Sequence, residues 1–286
     1  MAPSTKNNSN KIILAVLALL VCAVATIVII GQSKQKPAQV TPANTNYATQ
    51  INSLAPALFD AIGVAAYPGT PSNPVLPAMA LTNQPALSLA GTNPAKPTIV
   101  FVGAEWCPYC AAQRWPLAAA LARFGHFKTL HPTASSATDV LPNTPTISLF
   151  NSGYSSAYFN LVAVEQATNT HAPLQKTPAD VQALMNTYDS SKYNPNITIP
   201  GKSIPFLDIN NQYLQLGVSF NPQVLAGLST ADVASQLTAG TTPAATTIAS
   251  SANLITAEIC AVTHGQPGSV CSSAGVQAAA KVLAKK

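Results

Sequence analysis

Apolar residues recur along this chain in distinct rhythms, and each rhythm predicts an element. Residues 12–30, IILAVLALLVCAVATIVII, run for nineteen positions without a charge. At about 1.5 Å per residue such a helix is long enough to cross a hydrocarbon layer of roughly 30 Å. The segment predicts a single transmembrane helix. A cleaved signal peptide is the competing reading, but its apolar stretch commonly ends within about 7–15 residues at a small-x-small site, whereas this run reaches Ile30 and continues GQSKQK. Cys22 follows bulky Leu20 and Val21 and reads as a lipid-facing residue. Residues 1–11 are then a short cytoplasmic terminus, residues 31–50 a polar tether without apolar period, and residues 51–286 the folded domain.

Within that domain the period changes repeatedly. Leu54, Leu58, Phe59 and Ile62 fall at helical spacing, with Pro56 near the helix start. Seven prolines between Pro68 and Pro97 predict loop, apart from a short edge strand over 86–90. Thr98 to Val102, TIVFV, is apolar on both faces and predicts a central strand. A helix follows at once in CAAQRWPLAAALARFG, with Trp115, Leu117, Leu121 and Phe124 largely on one side, Pro116 as a bend and Gly125 as the stop. Residues 146–150 and 158–165 predict strands, and 177–189 a helix with Thr177 at the N-cap and Pro178 at its first position. SIPFLDINNQYLQLG predicts a hairpin turning at Asn210-Asn211. Ser229-Thr230 can cap a helix over 231–237, and 243–263 with 269–284 predict a hairpin of Ala-rich helices. The alternation of elements gives the α/β class.

Composition narrows the function. Only 8% of residues are charged, which excludes a disordered polyelectrolyte, a coiled coil and a nucleic-acid binder, all of which need dense charge. The net +5 is misleading, because residues 37–280 hold 7 bases and 9 acids. Lys6 and Lys11 compete with Lys34 and Lys36 across the apolar segment, so charge does not settle orientation. The cysteines do: Cys107, Cys110, Cys260 and Cys271 make an even number that can pair in an oxidising compartment. The large domain is therefore expected outside the cytoplasm, on a single-pass anchor in the cell membrane.

The candidate chemistry is Cys107-Pro108-Tyr109-Cys110, placed where a strand gives way to a helix. The positive end of that helix beside the first sulfur lowers its pKa, and a spacing of two residues lets the second sulfur close on the first. Cys107 reads as the nucleophile and Cys110 as the resolving thiol. A zinc site and an inert structural disulfide are the alternatives. Zinc needs further ligands, and His126, His131, His171 and His264 form no recognisable ligand pair. No metal or cofactor is required.

At these residues the sequence resembles the thioredoxin superfamily: GAEWCPYC is similar to its Trp-Cys-x-x-Cys signature, and the Pro-Tyr pair is similar to that of glutaredoxins. Ile204-Pro205, before the hairpin FLDINNQYL, is the second mark. The resemblance implies a thioredoxin-like fold, a cis bond before Pro205 lying against the sulfurs, and an Ile204 backbone that binds an extended substrate peptide. Where thioredoxins carry a buried carboxylate this chain has Phe101; Glu105 is the nearest acid, either a substitute or an exposed loop residue, and Trp106 reads as a cover over the sulfurs with a second role in substrate contact. Pro205 lies 95 residues after Cys110, so residues 126–200 must contain an insert, as in disulfide-forming oxidoreductases of the DsbA type. The whole layout resembles domain-of-unknown-function family 929. Cys260 and Cys271 can staple the helical hairpin as a structural disulfide or relay electrons to the first pair. The reading that results is a membrane-anchored, extracytoplasmic thiol-disulfide oxidoreductase. Its expected partners are cysteine-containing secreted or surface proteins and a membrane redox protein, quinone-linked, that resets the dithiol. A surface binding or scaffold protein with permanent disulfides is the reading of another class.

Overall fold

Thr98–Gly103 (β2) is the strand about which the molecule is organised. All six residues are buried, because it lies between two neighbours and is covered on both faces. The computed structural model describes residues 45–64, 75–195 and 199–284. The predicted membrane segment 12–30 lies outside them.

The chain is mixed α/β, with a mixed five-stranded sheet and eight α-helices among the described residues. The strand order is β1 (Met79–Ala80), β9 (Tyr213–Leu216), β8 (Phe206–Ile209), β2, β7 (Asn160–Glu165). Only the β2–β7 pairing is parallel; β8 runs antiparallel to β2, as does β9 to β8 and β1 to β9. The β8–β9 hairpin turns at Asn210 and Asn211, both at positive φ (58° and 56°), with the Gln212 N–H donating to Ile209 O at 3.0 Å before the ladder begins at the Ile209–Tyr213 pair.

Alternation along β2 feeds two cores. Ile99 and Phe101 point to a large helical layer, Val100 and Val102 to a smaller one. The large layer contains α1 (Ala48–Asn52), α2 (Pro56–Ile62), α3 (Pro108–Leu121), α5 (Thr230–Ala239), α6 (Pro243–Val262), α7 (Gly268–Cys271) and α8 (Ala274–Leu283). The other face is covered by α4 (Ala179–Tyr188) through Val181, Leu184, Met185 and Tyr188, with Leu87 and Leu89 beside it. By length and composition α6 could cross a membrane, yet 83% of its apolar window is buried within the fold; it is the central helix, packed on α3, α5 and α8. Cys260 at its end is bonded to Cys271 of α7, with Cα atoms 5.6 Å apart. Closing so short a loop contributes about 3 kcal/mol in the chain-entropy view.

Several sequence expectations change. Residues 45–50, assigned to the tether, belong to the folded body: Tyr47 and Ala48 are buried, the Tyr47 N–H donates to Leu130 O, and Asn46 Oδ1 accepts from both Ala48 and Leu130. No strand forms over 86–90, because the Leu87 N–H is taken by Asn210 Oδ1 and the edge of β9 is already filled by β1. Residues 146–150 do not join the main sheet; β5 (Pro145–Ser148) pairs only with β4 (His131–Ala134), and β3 (Gly125–His126) with β6 (Ser155–Ser156). Gly125 therefore sits in a strand, where the Ser155 backbone leaves no room for a Cβ, and α3 ends earlier, at Leu121. The helix expected from Thr177 starts at Ala179, and the Thr177 hydroxyl instead accepts from Gln166 Nε2.

The small core contains a buried acid. Asp208, on β8, is fully buried; Oδ1 accepts the Asn211 N–H at 2.8 Å and Oδ2 has no hydrogen-bond partner. Burial pushes its carboxyl from 3.8 up to about 7, against the opposing Asn211 hydrogen bond. Between these values the folded chain holds a proton that the unfolded chain has released, so this group's contribution to stability falls as pH rises through the window and is lost above 7. The loss is on the order of 4 kcal/mol. Asp208→Asn is expected to gain on the wild type steadily from pH 4 to pH 7, measured as the difference in urea unfolding free energy.

Candidate active site

The site forms at the carboxyl end of β2, where open sheets commonly place their chemistry. Beyond Gly103 the chain turns through Ala104, Glu105 and Trp106 and enters α3 with Cys107 as its N-cap. Cys107 is suited to this place because its Sγ accepts the Cys110 N–H at 3.2 Å, one of the donors a helix start leaves unsatisfied. Pro108 takes the first helical position, where the missing N–H costs nothing. Both cysteines are free thiols and both are buried, Cys110 completely.

Register supplies the other walls. Gly103 lies beside Glu165 on β7, while on the other side Val102 faces Phe206. Ile204 and Pro205 precede Phe206 and so lie at the same end of the sheet as Gly103 and Ala104. The Ile204–Pro205 bond is cis, Pro205 is buried, and Cys107 Sγ lies 3.9 Å from Ile204 O. Gly103 is small for a reason: a Cβ there would stand 2.8 Å from the Phe101 ring and 3.4 Å from Cys110 Sγ.

The electrostatics separate the two thiols. The hydrogen bond from the Cys110 side chain lowers the Cys107 pKa most; the backbone N–H groups of Cys110 and Tyr109 and the Arg114 charge act in the same direction, and together they outweigh burial. Burial raises the Cys110 pKa well above the ordinary value, and the Cys107 sulfur adds to the rise. The arrangement therefore makes Cys107 the more acidic thiol of the pair and Cys110 the less acidic one.

Beneath the sulfurs lies a group that the sequence reading missed. Arg114 follows Cys110 by four residues and so shares its helix face. Its Nε and Nη2 donate to Glu165 Oε1 and Oε2 at 2.7 and 2.6 Å, and both side chains are 0% exposed. Burial works against the guanidinium charge, and Glu165 more than restores it. A lone arginine one turn after the motif in an Ala-rich helix was the available signal; Glu165, at the end of a strand 51 residues away, gave none.

Among the other expected residues, Trp106 is half-buried. Its ring stacks on His171 with centroids 4.9 Å apart, and its carbonyl accepts the Ser136 N–H. His171 was another unforeseen neighbour. Glu105 is half-buried and its N–H donates to Ala167 O; among the described residues no hydrogen bond or ion pair joins its carboxylate to the sulfurs, so the charge near them is Arg114. Tyr109 is exposed. Cys260 and Cys271 are bonded to each other. Among the described residues no group of three or more His, Cys, Asp or Glu side chains could hold a metal ion.

A family model described as a domain of unknown function, DUF929, matches residues 86–261, which include every residue of this site. No curated protein and no solved structure matches the chain.

Removing Arg114 alone leaves Glu165 buried and unpaired, so Arg114→Met is expected to cost about 3–5 kcal/mol in urea unfolding. The pair Arg114→Met with Glu165→Leu should recover most of that stability while raising the pH midpoint of Cys107 alkylation, because the cation that favours the thiolate is gone.

Proposed function

The chain belongs to the DUF929 family, whose description names no activity, and we propose from its own site that it is a thiol-disulfide oxidoreductase of thioredoxin-like fold. The observation that carries this reading is the asymmetric pair: Cys107 caps the amino end of α3, where its pKa is lowered, while Cys110 is buried completely behind it, where its pKa is raised. What supports the fold assignment is the central strand running into the Cys-x-x-Cys helix, with the Ile204–Pro205 strand antiparallel beside it.

The chemistry proceeds from the oxidised pair. A substrate thiolate attacks Cys107 Sγ, the Cys107–Cys110 bond breaks, and Cys110 leaves as a thiolate that takes up a proton. A second substrate thiolate then attacks the substrate sulfur of the mixed disulfide and releases the Cys107 thiolate. Two substrate thiols become one disulfide, and the enzyme pair gains the two electrons. The lowering of its pKa makes Cys107 the better leaving group of the pair, which favours oxidation of substrates; reduction is the competing direction. Arg114, fixed by Glu165, stabilises negative charge on either sulfur, and the Ile204 carbonyl near Cys107 offers a backbone acceptor to an extended peptide.

The segment 12–30 and the even number of later cysteines support a membrane-anchored enzyme facing an oxidising compartment, acting on cysteine-containing secreted or surface proteins. Each turnover leaves a dithiol, so a membrane redox partner of the quinone-linked kind has to withdraw the electrons.

Equilibration of the full chain with glutathione buffers tests the reading. A reduction potential between about −120 and −180 mV is expected, whereas about −270 mV would reverse the direction. A pair that never exchanges would mean that a binding or scaffold protein has retained the fold. In parallel, Cys110→Ser should accumulate a mixed disulfide at Cys107 with a cysteine peptide, and Cys107→Ser should not.

A further inference from the structure

The far end of α3 borders a cavity that the thiol chemistry does not use. Its volume is about 440 Å³, within the range of small-ligand sites. Ile51, Leu54, Pro56, Phe59, Ala122 and Val270 give it apolar walls, and Asn52, Ser53, Ser269 and Arg123 its polar groups. The α7 wall is fixed by the Cys260–Cys271 bridge. As α3 has fourteen residues, the cavity lies about 20 Å along the helix from Cys107.

Arg123 is built into this cavity. Its guanidinium sits 4.7 Å over the Phe59 ring. Nη1 donates to Asn253 Oδ1 at 3.0 Å and to Thr256 Oγ1 at 3.4 Å, and Nη2 to Ser273 Oγ at 2.9 Å. The Asn253 amide is oriented by its own donations to Phe59 O and Gly63 O at 2.8 Å. Every acceptor is neutral. Among the described residues the only ion pair is Arg114–Glu165; Asp60 acts on Arg123 only through space, and its Oδ1 accepts the Gly275 N–H. Burial lowers the Arg123 pKa to about 10, so the group is still a cation at neutral pH. A half-buried charge whose hydrogen-bond acceptors are all neutral, with Asp60 acting only through space, gains from an anion placed directly against it.

We propose that this cavity binds a small organic monocarboxylate, its charge on the Arg123 guanidinium and its apolar body against Phe59, Leu54 and Val270. Arg123 is the only cation among the lining residues, which favours a single negative charge over a dianionic phosphate. The apolar walls favour a hydrocarbon or aromatic body, and the Arg123 charge, held in place by Asn253, Thr256 and Ser273, favours an anionic head. The site does not rest on the redox reading, since it shares no residue with it.

The test uses the full chain in detergent, titrated calorimetrically with 3-phenylpropanoate, 3-phenylpropanol and 3-phenylpropylammonium against empty micelles. The carboxylate is expected to bind saturably, at least about 10-fold more tightly than the alcohol, and the ammonium not at all. Arg123→Gln should weaken carboxylate binding at least about 10-fold while Arg123→Lys retains most of it. Val270→Trp, which adds a large side chain to the wall that α7 contributes, should abolish binding and leave thermal unfolding in place. Should Arg123→Gln fail to fold, Val270→Trp and the ligand series decide the question. Equal affinity for alcohol and carboxylate, binding unchanged in Val270→Trp, or absence of saturation in the millimolar range would each overturn the proposal.

Discussion

The closed ion pair between Arg114 and Glu165 is the constraint on which the rest depends. It joins α3 to the end of β7 directly below the two sulfurs, in a place where neither charge has water. Two buried ions are tolerated only when each satisfies the other with good geometry, so the register of β7 against β2 and the rotation of α3 are fixed together. A slip of one residue in β7 would turn Glu165 to the other face and leave both charges stranded. The same pair puts a cation near Cys107 and Cys110, and in this way a demand of folding becomes an electrostatic property of the site.

Around that pair the layers divide the work. The large helical layer holds α3 from behind through α6, which is buried along most of its length. The smaller layer under α4 closes the other face of β2 and accepts an acid, Asp208, that it does not pair with a base. The two faces thus meet buried charge in opposite ways. On one a carboxylate is neutralised by a guanidinium, and on the other a carboxylate is pushed toward its protonated form by burial. Arg123 adds a third arrangement, a cation cradled by neutral acceptors and a ring face.

Much of this architecture was legible in the residues. TIVFV could only be a central strand, because a run apolar on both faces needs cover on both. Asn210-Asn211 between two apolar runs could only be a tight turn. The strand-to-helix placement of Cys107 and Cys110 followed from local signals, a β-branched run, then a proline at a helix start, then helix formers. Errors came where the decisive partner lay far along the chain. Residues 86–90 had the composition of an edge strand, but an Asn210 side chain took the Leu87 donor. Thr177 had the chemistry of an N-cap, but Gln166 occupied its hydroxyl.

The sequence by itself determined what depends on a few neighbouring residues: the α/β alternation, the identity and spacing of the two thiols, the capped helix starts and the long apolar segment near the amino end. Only the tertiary structure decided which charge stands under the sulfurs. Glu105 is two residues from Cys107, yet among the described residues no hydrogen bond or ion pair joins its carboxylate to the sulfurs, whereas Glu165 reaches the site through a parallel crossover. The reason is that a backbone period specifies which way a side chain faces, while the partner it meets is set by strand register and helix rotation, which are properties of the whole packed core.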